Sequence, residues 1–175
     1  VRADGYAKGE CCVVLRIIAD EADAVSSDED ARAQTRAPLA YVTQTGVNQD
    51  GRSSSLTAPN GPSQQALVSN VLVRAGVRGD MVGRLEMHGT GTALGDPIEV
   101  GAALEVLGAR ASALTEGQQA TVITFEGVKP RVGHCEPGAG AIGVLFAISN
   151  ISSWHVSSLI HLRQLNPHVE AAVRR

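Results

Sequence analysis

The sequence predicts an α/β fold with parallel strands and helices on both faces of the sheet. Three observations predict it. Strand-like and helix-like segments alternate along the 175 residues. Two strand–loop–helix units share one design, with a glycine-bearing loop leaving each strand. The chain is 43% hydrophobic but only 3% aromatic, and it holds 19 glycines. Such a core must be built from Ala, Val, Leu and Ile packed closely around small residues. The length fits one domain of about 100–200 residues, and a chain of this size can bury about two thirds of its unfolded surface.

Taken in order, Cys11–Ile18 is a short apolar run rich in Val and Ile and reads as a buried strand. Residues 19–37 carry Asp20, Glu21, Asp23, Asp28, Glu29 and Asp30 with little apolar content. They read as an acidic surface loop, its start a short helix and its charge a solubility feature. Leu39–Val47 is strand-like by its β-branched content. Asn48–Pro62 follows as a long loop marked by Asp50-Gly51 and Pro59-Asn60-Gly61-Pro62. A helix is expected from Ser63 to Ala75, because Leu67, Val68, Val71, Leu72 and Ala75 fall on one face of a 3.6-residue period. Gly76 stops it as a left-handed C-cap.

The first repeated unit is a strand at Arg84–His88, the loop Gly89-Thr-Gly-Thr-Ala-Leu-Gly95 and a helix ending at Gly108. Asp96 is placed as its N-cap, Pro97 as its first helical residue and Glu99 three residues after the cap. The second unit is a strand at Thr121–Thr124, a loop to Glu136 and a helix from Pro137. That helix is apolar nearly all round, which predicts an interior position. Trp154–Arg175 has weak strand character, and Asn166-Pro167 breaks regular structure.

Composition excludes several functions. A net charge of −3 with 19% charged residues leaves no basic face for nucleic acid, and there is no set of stacking aromatics. Hydrophobicity is too high for a disordered chain. No run of 18 apolar residues exists to span a membrane, and Gly138–Ile151 is the longest candidate. There is no signal peptide, and the first residue is Val1 rather than Met, as a cut chain would show. Cys11, Cys12 and Cys135 are odd in number and lack disulfide or metal spacing, which suits a reducing, cytoplasmic setting.

Chemistry is expected beyond the C-terminal ends of parallel strands. His88 lies at that end of one strand, and His134 lies in the loop after another, just before a helix. Lys129 adds a cation in the same loop. Two imidazoles, an ammonium and a helix N-terminus suit a carboxylate or a developing enolate oxyanion. The alternative of surface histidines stands beside this reading. A zinc site lacks a third ligand at recognisable spacing, and the Gly89–Gly95 loop lacks the Lys-Ser/Thr of a phosphate-binding P-loop.

The same residues carry a family resemblance. His88-Gly-Thr-Gly-Thr92 followed by Leu94-Gly-Asp-Pro-Ile-Glu99 resembles the HGTGT…GDPIE signature of β-ketoacyl synthases. Val128-Lys129 with Gly133-His134-Cys-Glu136 resembles their VKxxxGHxE motif. Val47-Asn-Gln-Asp-Gly-Arg52, Leu56-Thr-Ala-Pro-Asn-Gly61, Arg2-Ala-Asp-Gly-Tyr6 and Asn166-Pro-His168 match in order. The similarity is greatest to ketosynthase domains of modular type I polyketide synthases.

The resemblance implies a thiolase-like layered fold and a decarboxylative Claisen condensation. An acyl thioester on a cysteine would be extended by a malonyl-type unit carried on the phosphopantetheine arm of an acyl carrier protein. By motif position, His88 and His134 would polarise the extender carbonyl and stabilise the enolate. Lys129 would hold the charge network with Glu136 as partner, and Thr90 and Thr92 would bind the pantetheine amides. No metal and no cofactor of the chain's own is implied, and a homodimer is. The sequence departs from the family in several ways, an irregular Phe125-Glu126-Gly127 before Val128-Lys129 among them. It has no TACSS-type nucleophile motif and no GFGGTNAH-type segment, and Pro130-Arg131 replaces the usual Ser-Asn pair after Lys129. Pro130 biases Lys129 away from helical angles. Cys135 reads as a packing residue, and Cys11 and Cys12 as buried, inert thiols.

Residues 1–175 are therefore expected to be the C-terminal portion of a ketosynthase, inactive in isolation, with the nucleophile-bearing portion absent. A fatty-acid-type elongating synthase would share the chemistry. A non-catalytic remnant that keeps the fold and a dimerisation surface is the alternative from outside the enzymes, and a hydrolase or metalloenzyme built on the histidines is more distant.

Overall fold

The computed structural model describes residues 7–17, 38–53, 58–108, 122–154 and 156–174. The acidic stretch 19–37, the Arg2–Tyr6 motif, Leu56-Thr57 and Thr121 lie outside the described residues. In chain order the elements are α1 (Gly61–Ala75), a 3-10 turn at Gly79–Met81, β1 (Arg84–Glu86), α2 (Gly95–Leu107), β2 (Thr124–Glu126), α3 (Lys129–Val132), a 3-10 turn at Glu136–Gly138, α4 (Ala139–Ser153) and α5 (Pro167–Val173).

β1 and β2 pair in parallel, with Arg84 opposite Thr124, Leu85 opposite Phe125 and Glu86 opposite Glu126. A parallel pair needs a long crossover, and α2 lies within it. α4 packs on β1, while α2 packs between α1 and α5. The buried apolar set includes Val100, Ala102, Ala103 and Leu107 of α2, with Val128, Ala139 and Val169. These are small or aliphatic side chains, as the aromatic-poor composition requires.

α1 begins where the loop chemistry ends. Asn60 Oδ1 accepts from Ser63 N at 3.1 Å, and Pro62 sits in the first turn, where a missing N–H costs nothing. Gly76 closes the helix at φ 65°, its N–H reaching the Leu72 and Val73 carbonyls. The predicted apolar face of α1 is met by Gly46. A Cβ at Gly46 would sit 2.6 Å from Val71 Cγ2 and 3.0 Å from Leu67 Cδ1, so only glycine fits there.

Several expectations fail for a common reason. Leu39–Val47 and the described part of Cys11–Ile18 form no strand. β-branched content favours an extended backbone but supplies no neighbour for the ladder. The first segment makes only a single bridge, Lys8 with His134, ahead of its apolar run. Val14, Ile17 and Val47 are 88%, 80% and 94% exposed. α4 is not buried all round either. Ala139, Gly143 and Asn150 are buried, while Val144, Leu145 and Ile151 are exposed.

Two punctuation signals act differently from expectation. Asp96 is not the N-cap of α2. Leu94 holds that position without a side-chain cap, and the Asp96 carboxylate accepts from Gly91 N in the preceding loop at 3.1 Å. Asn166-Pro167 does not break structure but starts α5. Asn166 Oδ1 accepts from His168 N at 2.9 Å, and Pro167 takes the first helical position. The Asn166 amide also donates to the Ala93 carbonyl at 3.3 Å, tying α5 to the loop before α2. No described helix is long and apolar enough to cross a membrane.

Asn60 also donates to the Asp50 carbonyl at 2.6 Å and the Arg52 carbonyl at 3.1 Å, so one amide both caps α1 and closes the loop before it. Asn60→Ala is expected to lower stability by about 1–2 kcal/mol in thermal or urea unfolding. Asn60→Asp keeps the cap and loses the donors, so it recovers only part of that loss.

Candidate active site

Because β1 and β2 run the same way, the loops that follow them leave the same edge of the sheet. Met87 N donates to the Glu126 carbonyl at 2.9 Å, which carries the pairing one residue past β1. His88 comes next. Its backbone N–H donates to Glu99 Oε1 at 2.6 Å, and Gly89 N donates to Glu99 Oε2 at 2.9 Å. One carboxylate from the first turns of α2 thus holds both amides at the start of the loop. Gly89 and Gly91 take φ of 48° and 76°, left-handed values that favour glycine. Thr92 Oγ1 accepts from Gly95 N at 3.1 Å and shapes the end of the loop. Thr90 Oγ1 lies near the same glycine, 3.7 Å from where its Cβ would be.

His134 is buried and is held from a direction the sequence does not suggest. Its N–H donates to the Ala7 carbonyl at 2.7 Å, and its own carbonyl accepts from Gly9 N at 3.1 Å. Two glycines permit this approach. A Cβ at Gly9 would lie 2.1 Å from the Val132 carbonyl oxygen. At Gly133, with φ 78°, one would lie 3.0 Å from Gly9 N and from the Lys8 carbonyl.

The two imidazoles meet edge to face, their centroids 5.4 Å apart and their planes at 83°. His134 Nδ1 accepts from Glu136 N at 3.1 Å. A ring nitrogen that accepts carries no proton, so the proton of neutral His134 sits on Nε2. Glu136 adopts φ 46° to bring that amide into place. His88, though exposed overall, has a pKa below its ordinary value, first through partial desolvation and then because of the Lys129 cation; Glu99 and Asp96 oppose this and His134 adds to it. Two imidazoles thus meet at this edge, with the charge of Lys129 acting on His88.

Lys129 is the first residue of α3, with Pro130 second. The expected bias away from helical angles is overridden. Pro130 sits in the first turn, where no intrahelical acceptor needs its missing N–H, and Gly133 N donates to the Lys129 carbonyl at 2.8 Å. Arg131 turns away from the histidines, donating to the Ser158 carbonyl at 2.9 Å and lying over the Phe146 ring. Glu136 does not partner Lys129. It pairs with Lys8 at 2.9 Å, and that ammonium holds its carboxyl below the usual range.

Cys135 is buried, in keeping with a packing role, whereas Cys11 and Cys12 are exposed rather than buried. Desolvation and the neighbouring Cys135 thiol push the Cys11 thiol up, the opposite of an activated nucleophile. Among the described residues no three His, Cys, Asp or Glu side chains gather as a metal set. An open depression lined by Arg131, Phe146, Ser149, Asn150, Ser153 and Ser157 contains neither histidine.

Sequence reasoning missed the two acids beneath the site. Glu126 is 3% exposed and is answered by Arg84 at 3.3 Å and the Asn150 amide at 3.0 Å. Glu86 accepts from Val128 N at 2.8 Å. The available signal was an acid at the end of each short strand, legible only once the strands are paired.

Two outcomes are expected of this geometry. Glu99→Ala leaves the His88 and Gly89 amides without their acceptor, and unfolding should show a loss of about 1–3 kcal/mol, with Glu99→Gln intermediate. The depressed His88 pKa means that the unfolded chain binds more protons just below pH 6.5. The His88 contribution to stability is therefore complete above 6.5 and is lost as pH falls toward the folded value. His88→Asn should flatten that part of the stability-versus-pH curve.

Comparison with known proteins places the chain as a whole. The family model described as "Beta-ketoacyl synthase, C-terminal domain" matches residues 39–163. A phenolphthiocerol/phthiocerol polyketide synthase of Mycobacterium tuberculosis (strain CDC 1551 / Oshkosh) is 36% identical over 175 residues, covering 99% of this chain and 9% of the relative. An erythronolide synthase of Saccharopolyspora erythraea is 39% identical over 140 residues, covering 80% of this chain and 4% of the relative. Among solved structures, the ketosynthase from module 6 of the bacillaene synthase of Bacillus subtilis 168 superposes with a TM-score of 0.68 at 29% identity, covering 79% of this chain and 24% of that one. An oxazolomycin ketosynthase domain of Streptomyces albus JA3453 gives a TM-score of 0.65 at 32% identity, covering 77% and 22%. The chain thus spans under a tenth of these curated relatives and about a quarter or less of these two ketosynthase structures.

Proposed function

Since the chain belongs to the β-ketoacyl synthase family, matching its C-terminal domain in polyketide synthases and sharing the thiolase-like ketosynthase fold, we propose that it supplies the extender-activating half of a condensing active site. The observation that carries this is the His88–His134 pair at 5.4 Å, with His134 Nδ1 accepting from Glu136 N. The substrate class is a malonyl-type thioester on the phosphopantetheine arm of an acyl carrier protein. Thr90 and Thr92, in the loop between His88 and α2, bind the amides of that arm. The chain carries no cofactor of its own.

In the proposed reaction the C–C bond to the extender carboxylate breaks, and CO2 leaves. The electron pair passes to the α-carbon and is delocalised onto the thioester oxygen. The two imidazoles donate to that oxygen, and the Lys129 cation favours the negative charge gathering there. The α-carbon then forms a C–C bond with the carbonyl carbon of an acyl thioester. The C–S bond of that thioester breaks, and the thiolate leaves with the pair. The acyl-bearing cysteine belongs to a part of the synthase outside the matched C-terminal domain, and the synthase works as a dimer. Two hydrogen-bond donors in a site of this kind contribute about 100- to 1,000-fold each to the rate.

In the complete synthase, His88→Ala and His134→Ala should each slow release of CO2 from a malonyl thioester by about 100-fold or more, and condensation should fall with it. Full condensation by either variant would overturn the assignment and leave the chain as a structural segment. The 175-residue chain alone should show no condensation, and mass spectrometry should find no acyl group on Cys11, Cys12 or Cys135.

A further inference from the structure

Glu86 is the last residue of β1 and the register partner of Glu126 in β2. Side chains at matched positions of paired strands project to the same face, so the two acids stand side by side beneath α4. Their surroundings differ. Glu126 has Arg84 and Asn150 as partners. Glu86 Oε1 accepts from Val128 N at 2.8 Å, while its Oε2 is buried with no hydrogen-bond partner among the described residues. Gly143 of α4 closes over it, since a Cβ there would lie 3.4 Å from Glu86 Cγ and 3.7 Å from Oε1.

Glu86 as a whole is half-buried, but a carboxylate whose inner oxygen is shielded from water and unanswered is costly to keep. Burial raises the Glu86 pKa, and the Val128 amide and the Lys129 cation oppose that rise. Those two opposing groups are consecutive in sequence. Val128 is itself buried and takes the N-cap position of α3. The Glu86–Val128 hydrogen bond therefore holds the residue from which Lys129 departs, and Lys129 in turn acts on His88.

We propose that Glu86 is a positioning residue, clamping the Val128 amide so that Lys129 is held at the sheet edge it shares with His88. The clamp rests on the proposed function for its catalytic meaning, but not for its test. The charged and titratable groups acting on His88 are Lys129, Glu99, His134 and Asp96. Glu86 acts through the first of them.

The test is an NMR titration of the His88 imidazole in the folded chain. Lys129→Met should move the His88 titration upward by a few tenths of a pH unit, because a nearby cation is gone. Glu86→Ala should move it the same way, because Lys129 is released. The sign decides, since loss of a carboxylate acting only as a charge would move His88 downward. Glu86→Gln keeps an oxygen for Val128 N and should leave His88 at or below its starting value. Glu86→Ala combined with Lys129→Met should give no rise beyond Lys129→Met alone. If Glu86→Ala does not fold, Glu86→Asn replaces it, one methylene short of Val128 N, with the same upward shift expected. His88 unmoved or lowered in Glu86→Ala or Glu86→Asn, or raised equally in Glu86→Gln, overturns the proposal. No substrate enters this measurement, so its failure leaves the proposed function standing, and lost condensation chemistry leaves the clamp standing.

Discussion

The parallel pairing of β1 with β2 is the constraint on which the rest of the site depends. Each strand has only three residues. Their common direction nevertheless sends the His88 loop and the His134 loop over the same edge, although the two histidines are 46 positions apart in sequence. An antiparallel arrangement of the same strands would place the loops at opposite ends, and neither imidazole could meet the other. The register is equally consequential. With Glu86 opposite Glu126, the two acids lie under α4 and the chain emerges from both strands at the same level.

Carboxylates fixing backbone amides recur around this edge. Glu99 holds His88 N and Gly89 N, Asp96 holds Gly91 N, and Glu86 holds Val128 N. A charged acceptor on an amide is stronger than a neutral one, so the loops are tied down without large side chains packing over them. This suits an aromatic-poor chain in which glycine permits close backbone contact at Gly9 and Gly133.

Much of the architecture was legible in particular residues. α1 follows from its apolar period, with Asn60 before it and Gly76 after it, and the starts of α2 and α4 lie within two residues of expectation. His88 and His134 stand out at strand ends and Lys129 in the loop of the second, and the structure brings the two histidines together. Other features were not legible because they depend on contacts that local propensity does not specify. Val13, Val14 and Ile17 have the composition of a strand and no ladder. Asp96 and Glu99 look like helix-capping acids but serve the loop before the helix. The family resemblance implies Glu136 as the partner of Lys129, yet Lys8, 128 positions away, takes it.

The sequence by itself determined the family, the fold class and the identity of the candidate reacting side chains. Those depend on residue types at short spacing, where covalent geometry limits what a motif can do. The edge-to-face meeting of His88 with His134, the docking of Ala7–Gly9 against His134, the burial of Glu126 and the shielding of Glu86 Oε2 follow from the packed fold alone. Each of those depends on hydrogen bonds and van der Waals distances between segments far apart in the chain. Local propensity does not encode such contacts, and here they are set by the strand pairing and by glycines that let two backbones touch.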